Sequence, residues 1–223
     1  MLQYGPDRVY QLPGAMAGFV FIPAAVLGRN VFKLPEELIC QDGATVEPLS
    51  ISLYAVKRAG PREKDTAVVL GAGIIGLCAV QVLKAMGVER VLVSGRRSAR
   101  LSAARACGAD LVVDAAAEDV LQAVREATSG MGADLIVECT GSQETFDQAV
   151  EMAHGGGKIM LVGVYEKPLT WDPLPVISKN LTLVGCLGGN FPGAIELLQS
   201  GKVTTRSLVT HSFPLLLKNL DSR

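Results

Sequence analysis

Thr66-Ala-Val-Val-Leu-Gly-Ala-Gly-Ile-Ile-Gly76 runs from an apolar stretch straight into Gly71-x-Gly73-x-x-Gly76. The order predicts a buried strand, a tight turn and the start of a helix. In such an arrangement Gly71 allows the turn, Gly73 lets the backbone approach a pyrophosphate, and Gly76 lets helix and strand pack closely. Ile74 and Ile75 open the helix, whose first N–H groups and macrodipole favour an anion. A glycine-rich turn is weak evidence by itself, since methyltransferases use a similar loop and some such loops bind nothing. The flanking residues decide it: Ile74, Leu77, Cys78, Val80, Val82 and Leu83 continue a helical pattern, and Arg90-Val-Leu-Val-Ser94 supplies a second strand, completing a βαβ unit.

Strand and helix patterns then alternate to the far end. Strands are expected at 67–70, 90–94, 111–114, 134–138, 157–162 and 181–185, with helices at 74–86, 98–107, 117–128, 143–154 and near 174–179 between them. Six apolar strands joined by crossovers define an α/β fold with a doubly wound parallel sheet of Rossmann type. Its ligand crevice lies outside the carboxyl ends of the strands, which brings Gly71–Gly76, Gly95–Arg97, Thr140–Ser142, Gly163–Tyr165 and Cys186–Gly189 to one edge. A short helix at 192–200, a stop at Gly201 and a strand over 207–214 complete the pattern.

Residues 1–57 differ in character. Gly14 to Leu34 is rich in Gly, Pro and β-formers, Asn30-Val-Phe-Lys-Leu-Pro35 reads as a strand closed by a proline turn, and Asp42-Gly-Ala-Thr-Val-Glu-Pro-Leu-Ser50 leads into a helix running through about Arg58. Gly60-Pro-Arg-Glu-Lys-Asp65 is a polar link. Three parts are therefore expected: residues 1–57 as a remnant of a mainly-β domain with its closing helix, 58–200 as the dinucleotide-binding domain, and 201–223 as a return segment.

Composition bounds the partners. A net charge of −1 across 223 residues and a sequence pI near 6.1 give no global attraction to nucleic acid or anionic membrane. Hydrophobic residues make up 49%, as a sheet buried on both faces requires. The longest apolar stretch, 15–28, contains Pro23 and is too short to cross a bilayer. Cys40, Cys78, Cys107, Cys139 and Cys186 are far apart and form no CxxC, the usage of reduced thiols in a cytoplasmic protein.

Nineteen residues past Gly76, where an acidic side chain would accept the ribose hydroxyls of NAD, stands Gly95, followed by Arg96 and Arg97. A carboxylate there would repel a 2′-phosphate and guanidiniums would attract it, so NADP(H) is expected over NAD(H). The competing reading is a solvated helix start made by Arg96, Arg97 and Arg100, although cations are disfavoured at that end of a helix.

Six segments in this order and spacing resemble the zinc-type medium-chain alcohol and polyol dehydrogenases: Asn30–Pro35, Glu47-Pro-Leu-Ser50, Leu70–Gly76, Glu138-Cys-Thr-Gly141, Gly157-Lys-Ile-Met-Leu-Val-Gly163 and Leu183-Val-Gly-Cys186. The resemblance implies hydride transfer between nicotinamide and a small alcohol or carbonyl substrate. It implies that Thr140 and Gly141 lie along the nicotinamide side, that backbone groups around Val162, Gly163, Cys186 and Leu187 fix the carboxamide, and that Glu47 stands near the catalytic zinc. It further implies a homo-oligomer, dimer or tetramer, paired along the strand near 181–185. For Glu47 the plainer reading is a helix-start carboxylate with Pro48 in the first turn.

The family's zinc ligands include Cys and a His-Glu pair, and this sequence has two histidines, His154 and His211, neither followed by Glu. No catalytic residue is assigned, and no zinc constellation can be built from the residues present. The expectation is a chain truncated at both ends, carrying the cofactor half and turning over poorly alone. Two other functions stay open: a dinucleotide-binding protein without activity, and a zinc-independent quinone or enone reductase of the same fold, against which Glu47-Pro-Leu argues.

Overall fold

The computed structural model describes residue 22 and residues 24–213. The chain divides into two units, Leu34–Leu208 and the ends Met1–Lys33 with Val209–Arg223. In chain order the larger unit contains α1 (Cys40–Ala59), β1 (Thr66–Leu70), α2 (Ile74–Ala85), β2 (Arg90–Gly95), α3 (Ser98–Ala106), β3 (Leu111–Asp114) and α4 (Val120–Ala127). It continues with β4 (Ala133–Glu138), α5 (Gln143–Met152), β5 (Ala153–Leu161), α6 (Leu174–Ser178), β6 (Thr182–Gly185), α7 (Phe191–Gln199) and a 3-10 turn at Arg206–Leu208.

All six strands run parallel in the order β3-β2-β1-β4-β5-β6, the doubly wound arrangement that the alternating pattern predicts. Alternate residues of β1 divide the core. Val68 and Leu70 join Ile136, Ile159, Val120, Val124, Phe146 and Val150 in one cluster beneath α4 and α5. On α1 and α2, Leu49, Leu53, Val56, Val80 and Leu83 are fully or almost fully buried, and α1 packs against both α2 and α7.

The register sets up the site. Ser94, Leu70, Glu138, Leu161 and Gly185 stand in one row across five strands, so the residues after them emerge side by side. The ladder continues one step further: Gly71 N–H donates to the Ser94 carbonyl at 3.0 Å, Cys139 N–H to Leu70 at 2.9 Å, and Cys186 N–H to Leu161 at 3.0 Å.

Several elements depart from the sequence-based expectation. The compact unit begins at Leu34 and ends at Leu208, not at 58 and 200. The reason is α1, whose buried face makes it part of the sheet's own cover. Buried Ser52 ties α1 to α2, donating to the Ile75 carbonyl at 2.8 Å. Residues 205 and 206 are held to the same helix: Thr45 and Thr205 hydroxyls lie 2.5 Å apart, and the Arg206 guanidinium forks onto Asp42 at 2.6–3.1 Å. No strand forms over 207–213, where the chain leaves the 3-10 turn without regular structure, so His211 is not in a strand, and residue 214 lies outside the described residues. His154 likewise falls in β5 and not at a helix end. The chain passes from α5 directly into extended backbone at Ala153, and β5 bulges before rejoining β4 at Lys158.

Asn30–Pro35, which runs from the smaller unit into the larger, is not a strand. Asn30 closes a local turn, accepting from Val26 N–H at 2.6 Å and donating to the Ala24 carbonyl at 3.1 Å, and Val31 forms only an isolated bridge with Leu27. The proline turn is present, with Leu38 N–H donating to Pro35 at 3.1 Å. The other β-rich residues expected over 14–34 lie largely outside the described residues. Among the described residues no helix is long and apolar enough to cross a membrane.

The Arg206 fork holds the Asp42 carboxyl below the usual carboxylate range, outweighing the upward push of burial, with the Ile39 N–H assisting. A folded-state pKa lowered beneath the unfolded value of about 3.9 contributes stability that is complete above that pH and lost as pH falls through the folded pKa. Thermal melts of wild type and Asp42→Asn should therefore differ most at neutral pH and converge as pH falls through the lowered folded-state pKa.

Candidate functional site: the crevice at the carboxyl ends of the strands

Each glycine of the fingerprint has its own steric reason. Gly71 takes φ +104°, a left-handed conformation that side chains disfavour, and a Cβ there would lie 2.7 Å from Thr140 Cγ2. A Cβ on Gly76 would overlap the Gly71 carbonyl oxygen and crowd Val69 Cγ1 at 3.2 Å, so this glycine is what lets α2 sit against β1. Gly73 differs: its φ is −79°, and a Cβ would meet nothing within 4 Å. The space above Gly73 is open where a ligand's phosphates would approach. As N-cap of α2, Gly73 offers no side chain to the first-turn N–H groups, whereas α4, α5 and α7 are capped by Asp119, Ser142 and Asn190.

A cleft of about 450 Å³ opens over this turn. It is lined by Gly71, Ala72, Gly73 and Gly95, by the cations Arg96, Arg97 and Arg100, and from across the crevice by Thr140 and Glu144. Gly95 lacks a side chain for a visible reason: a Cβ would stand 3.0 Å from Ala72 Cβ and 3.2 Å from Leu101 Cδ2. A side chain at 95 would crowd Ala72 and Leu101, which would have to give by a few tenths of an ångström. Arg96 is an ion-pair partner rather than a freely solvated cation, its Nη2 donating to Glu144 Oε2 at 2.5 Å.

At the end of β4, Glu138 is fully buried yet carries a carboxylate. Its Oε1 accepts from Thr140 N–H at 2.7 Å and lies 2.6 Å from Thr140 Oγ1 and 2.9 Å from Thr145 Oγ1. Gly141 N–H is shared between both oxygens at 3.2 Å, and Tyr165 donates its hydroxyl to Oε2 at 2.6 Å. Burial, followed by the neighbouring Glu138, raises the Tyr165 hydroxyl far above its usual range, so it acts as a neutral donor. The backbone carbonyl of Glu138 accepts from Val162 and Gly163 N–H, each at 2.9 Å. A Cβ on Gly163 would overlap Gly141, and one on Gly141 (φ +71°) would overlap Val164, so the two loops interlock through paired glycines.

The structure thus brings Gly71, Gly73, Gly76, Gly95, Arg96, Arg97, Thr140 and Gly141 into one neighbourhood, with Ile74 exposed and Ile75 half-buried at the start of α2. Val162 and Cys186 N–H groups are engaged within the sheet, so neither is available to donate to a carboxamide, while Leu187 is almost wholly exposed. The loop that carries Cys186 and Leu187 is fastened by α1, where Arg58 donates to the Gly185 carbonyl at 2.8 Å and the Ser50 carbonyl accepts from Asn190 N–H at 3.1 Å.

Glu47 stands apart. It is an exposed residue in the interior of α1, well past the helix start at Cys40, with Pro48 inside the helix. The helix-start reading of Glu47-Pro48 therefore fails, because Asp42 reaches back to Ile39 N–H and the helix begins about two turns earlier, at Cys40. Among the described residues no three His, Cys, Asp or Glu side chains come together as metal donors. All five cysteines are free, and burial pushes the Cys78 thiol up to about 12, which suits an inert side chain. The described residues do not fit a zinc centre.

The sequence alone points to no role for Glu144, for Tyr165 or for the Glu138 side chain. Only Glu138 carries a signal: an acid ending the apolar run Leu135-Ile-Val-Glu138 must be either exposed or hydrogen-bonded.

A family model described as zinc-binding dehydrogenase matches residues 75–200, more than half of the chain, and the chain belongs to that family. Over 224 aligned residues it is 36% identical to erythritol/L-threitol dehydrogenase of Mycolicibacterium smegmatis, covering 98% of this chain and 60% of that protein. Among solved structures, an alcohol dehydrogenase of E. coli CFT073 complexed with NADH superposes with a TM-score of 0.78 at 30% identity, over 84% of this chain and 56% of that one. A protein from Sinorhizobium meliloti 1021 described as a zinc-binding dehydrogenase, bound to NADP, gives 0.73 at 29% identity, over 78% and 52%. The chain spans between half and three-fifths of the length of these proteins.

Removing the Glu138 carboxylate would leave a cavity in the core and take away the acceptor of the Thr140 and Gly141 N–H groups and of the Tyr165 hydroxyl. Glu138→Ala should destabilise the chain by about 3 kcal/mol or more, and Glu138→Gln by about 1–2 kcal/mol, as read from urea midpoints.

Proposed function

We propose that this chain is the cofactor-holding part of an NADP(H)-dependent oxidoreductase that transfers hydride between nicotinamide and an alcohol or carbonyl carbon. The observation that carries the reading is the cleft itself: an open Gly73 at an uncapped helix start, beside Arg96, Arg97 and Arg100, with no carboxylate at 95. The α2 start and the Gly71 turn would hold the pyrophosphate, and the arginines would receive the adenosine 2′-phosphate. Thr140 and Gly141, held by Glu138, would place the nicotinamide side, and the bound nicotinamide would supply or accept the hydride.

The relative that acts on erythritol and L-threitol supports a small polyol as substrate class. Strand β6 is an edge of the sheet, and exposed Leu174, Ile177 and Leu187 near it support pairing with a second copy in a dimer or tetramer. Five free thiols support a cytoplasmic setting. Zinc belongs to this reading only where a donor set absent among the described residues is also supplied. That absence favours a second reading, a dinucleotide-binding protein without turnover. It is told apart by the coding sequence upstream of Met1, where an in-frame Gly-His-Glu motif and a Cys cluster would support the dehydrogenase and their absence the non-catalytic binder.

Calorimetric titration tests the site. NADPH should bind more tightly than NADH, and replacing Arg96 and Arg97 together by Ala should cost NADPH about tenfold or more. Gly73→Ala should leave the melting temperature almost unchanged, because its methyl points into open space, yet weaken both nucleotides. Full binding by Gly73→Ala would contradict the assigned pyrophosphate position.

A further inference from the structure

The cleft holds three cations and one acid, and the acid comes from a distant part of the chain. Arg96 directly follows β2, whereas Glu144 belongs to the first turn of α5, 48 residues on. The two meet across the crevice with Arg96 Nη2 at 2.5 Å from Glu144 Oε2. Glu144 is not needed as a helix cap, because Ser142 already accepts from Thr145 N–H at the start of α5. Both side chains keep more than half of their surface, 64% for Arg96 and 54% for Glu144. Such an exposed pair is weak and can be exchanged for a stronger anion.

The position usual for cofactor discrimination carries no side chain here, and one would be crowded, since a Cβ at 95 would stand 3.0 Å from Ala72 Cβ and 3.2 Å from Leu101 Cδ2. The acidic group in this cleft is supplied from α5 instead. Its carboxylate occupies the guanidinium as a 2′-phosphate would.

We propose that Glu144 is a specificity-determining residue of the cofactor site: by holding Arg96 it competes with the 2′-phosphate, so that NADP(H) must displace it whereas NAD(H) binds with the pair intact. The proposal rests on the dinucleotide reading of the cleft. Glu144 then moderates the preference for NADP(H) and keeps NAD(H) usable. An uncharged amide at 144 leaves Arg96 free for the phosphate and removes a negative charge from its path.

The test is a titration of wild type, Glu144→Gln, Arg96→Ala and the double variant with NADPH and with NADH, each variant checked for an unchanged melting temperature. Glu144→Gln should tighten NADPH by about two- to fivefold and leave NADH within twofold. Arg96→Ala should weaken NADPH, and in that background the change at 144 should have no effect. NADPH affinity unmoved by Glu144→Gln, or the same gain with Arg96 removed, would overturn the competition. A selective loss of NADH would overturn it too, making Glu144 an acceptor for ribose hydroxyls. These results leave the cofactor site standing. Failure of wild type to bind either nucleotide would instead remove the site, and the inference with it.

Discussion

The buried Glu138 carboxylate is the constraint on which the crevice depends. Its strand, β4, lies between β1 and β5, and β1–β4 is where the strand order reverses. An isolated carboxylate so deep would be prohibitively costly, and it is stable here because N–H and O–H groups converge on both oxygens. Those donors come from the loop 140–142, the first turn of α5 at Thr145, and Tyr165, so satisfying one side chain fixes all three. Thr140, so placed, packs beside Gly71, which carries the order of the β4 end into the phosphate turn.

The second support is α1. Sequence composition places this helix with the β-rich segment before it, yet its buried face covers the sheet and its polar groups reach the crevice from beneath. Ser52 holds the start of α2, Arg58 and Ser50 hold the loop after β6, and Asp42 with Thr45 anchors residues 205 and 206. The glycine turn and the 186–190 loop therefore share one scaffold, and cofactor-side geometry is set on rigid elements rather than by the loops alone.

Hydrophobic periodicity makes the six strands and most helices legible, because strands buried on both faces must be continuously apolar and crossovers must be amphipathic. The three glycines are legible for the same reason: their roles are steric and local. What sequence does not disclose is long-range. The meeting of Arg96 with Glu144 and of Tyr165 with Glu138 depends on how crossovers fold back, and spacings of 48 and 27 residues carry no periodic signal. Asn30–Pro35 and 207–213 have strand-forming composition without a neighbouring strand among the described residues, and β propensity expresses itself only where a partner exists. Glu47 stands out only as part of a motif, and the helix register, set upstream by Asp42, leaves it exposed without companion ligands among the described residues.

The central claim is that one dinucleotide spans the phosphate turn and the Glu138-ordered loops together. Amide hydrogen exchange with and without NADPH measures this directly. The account predicts that peptides covering 71–77, 95–100 and 139–145 all gain protection on binding. Protection confined to one of these segments, or appearing only elsewhere on the chain, would contradict it.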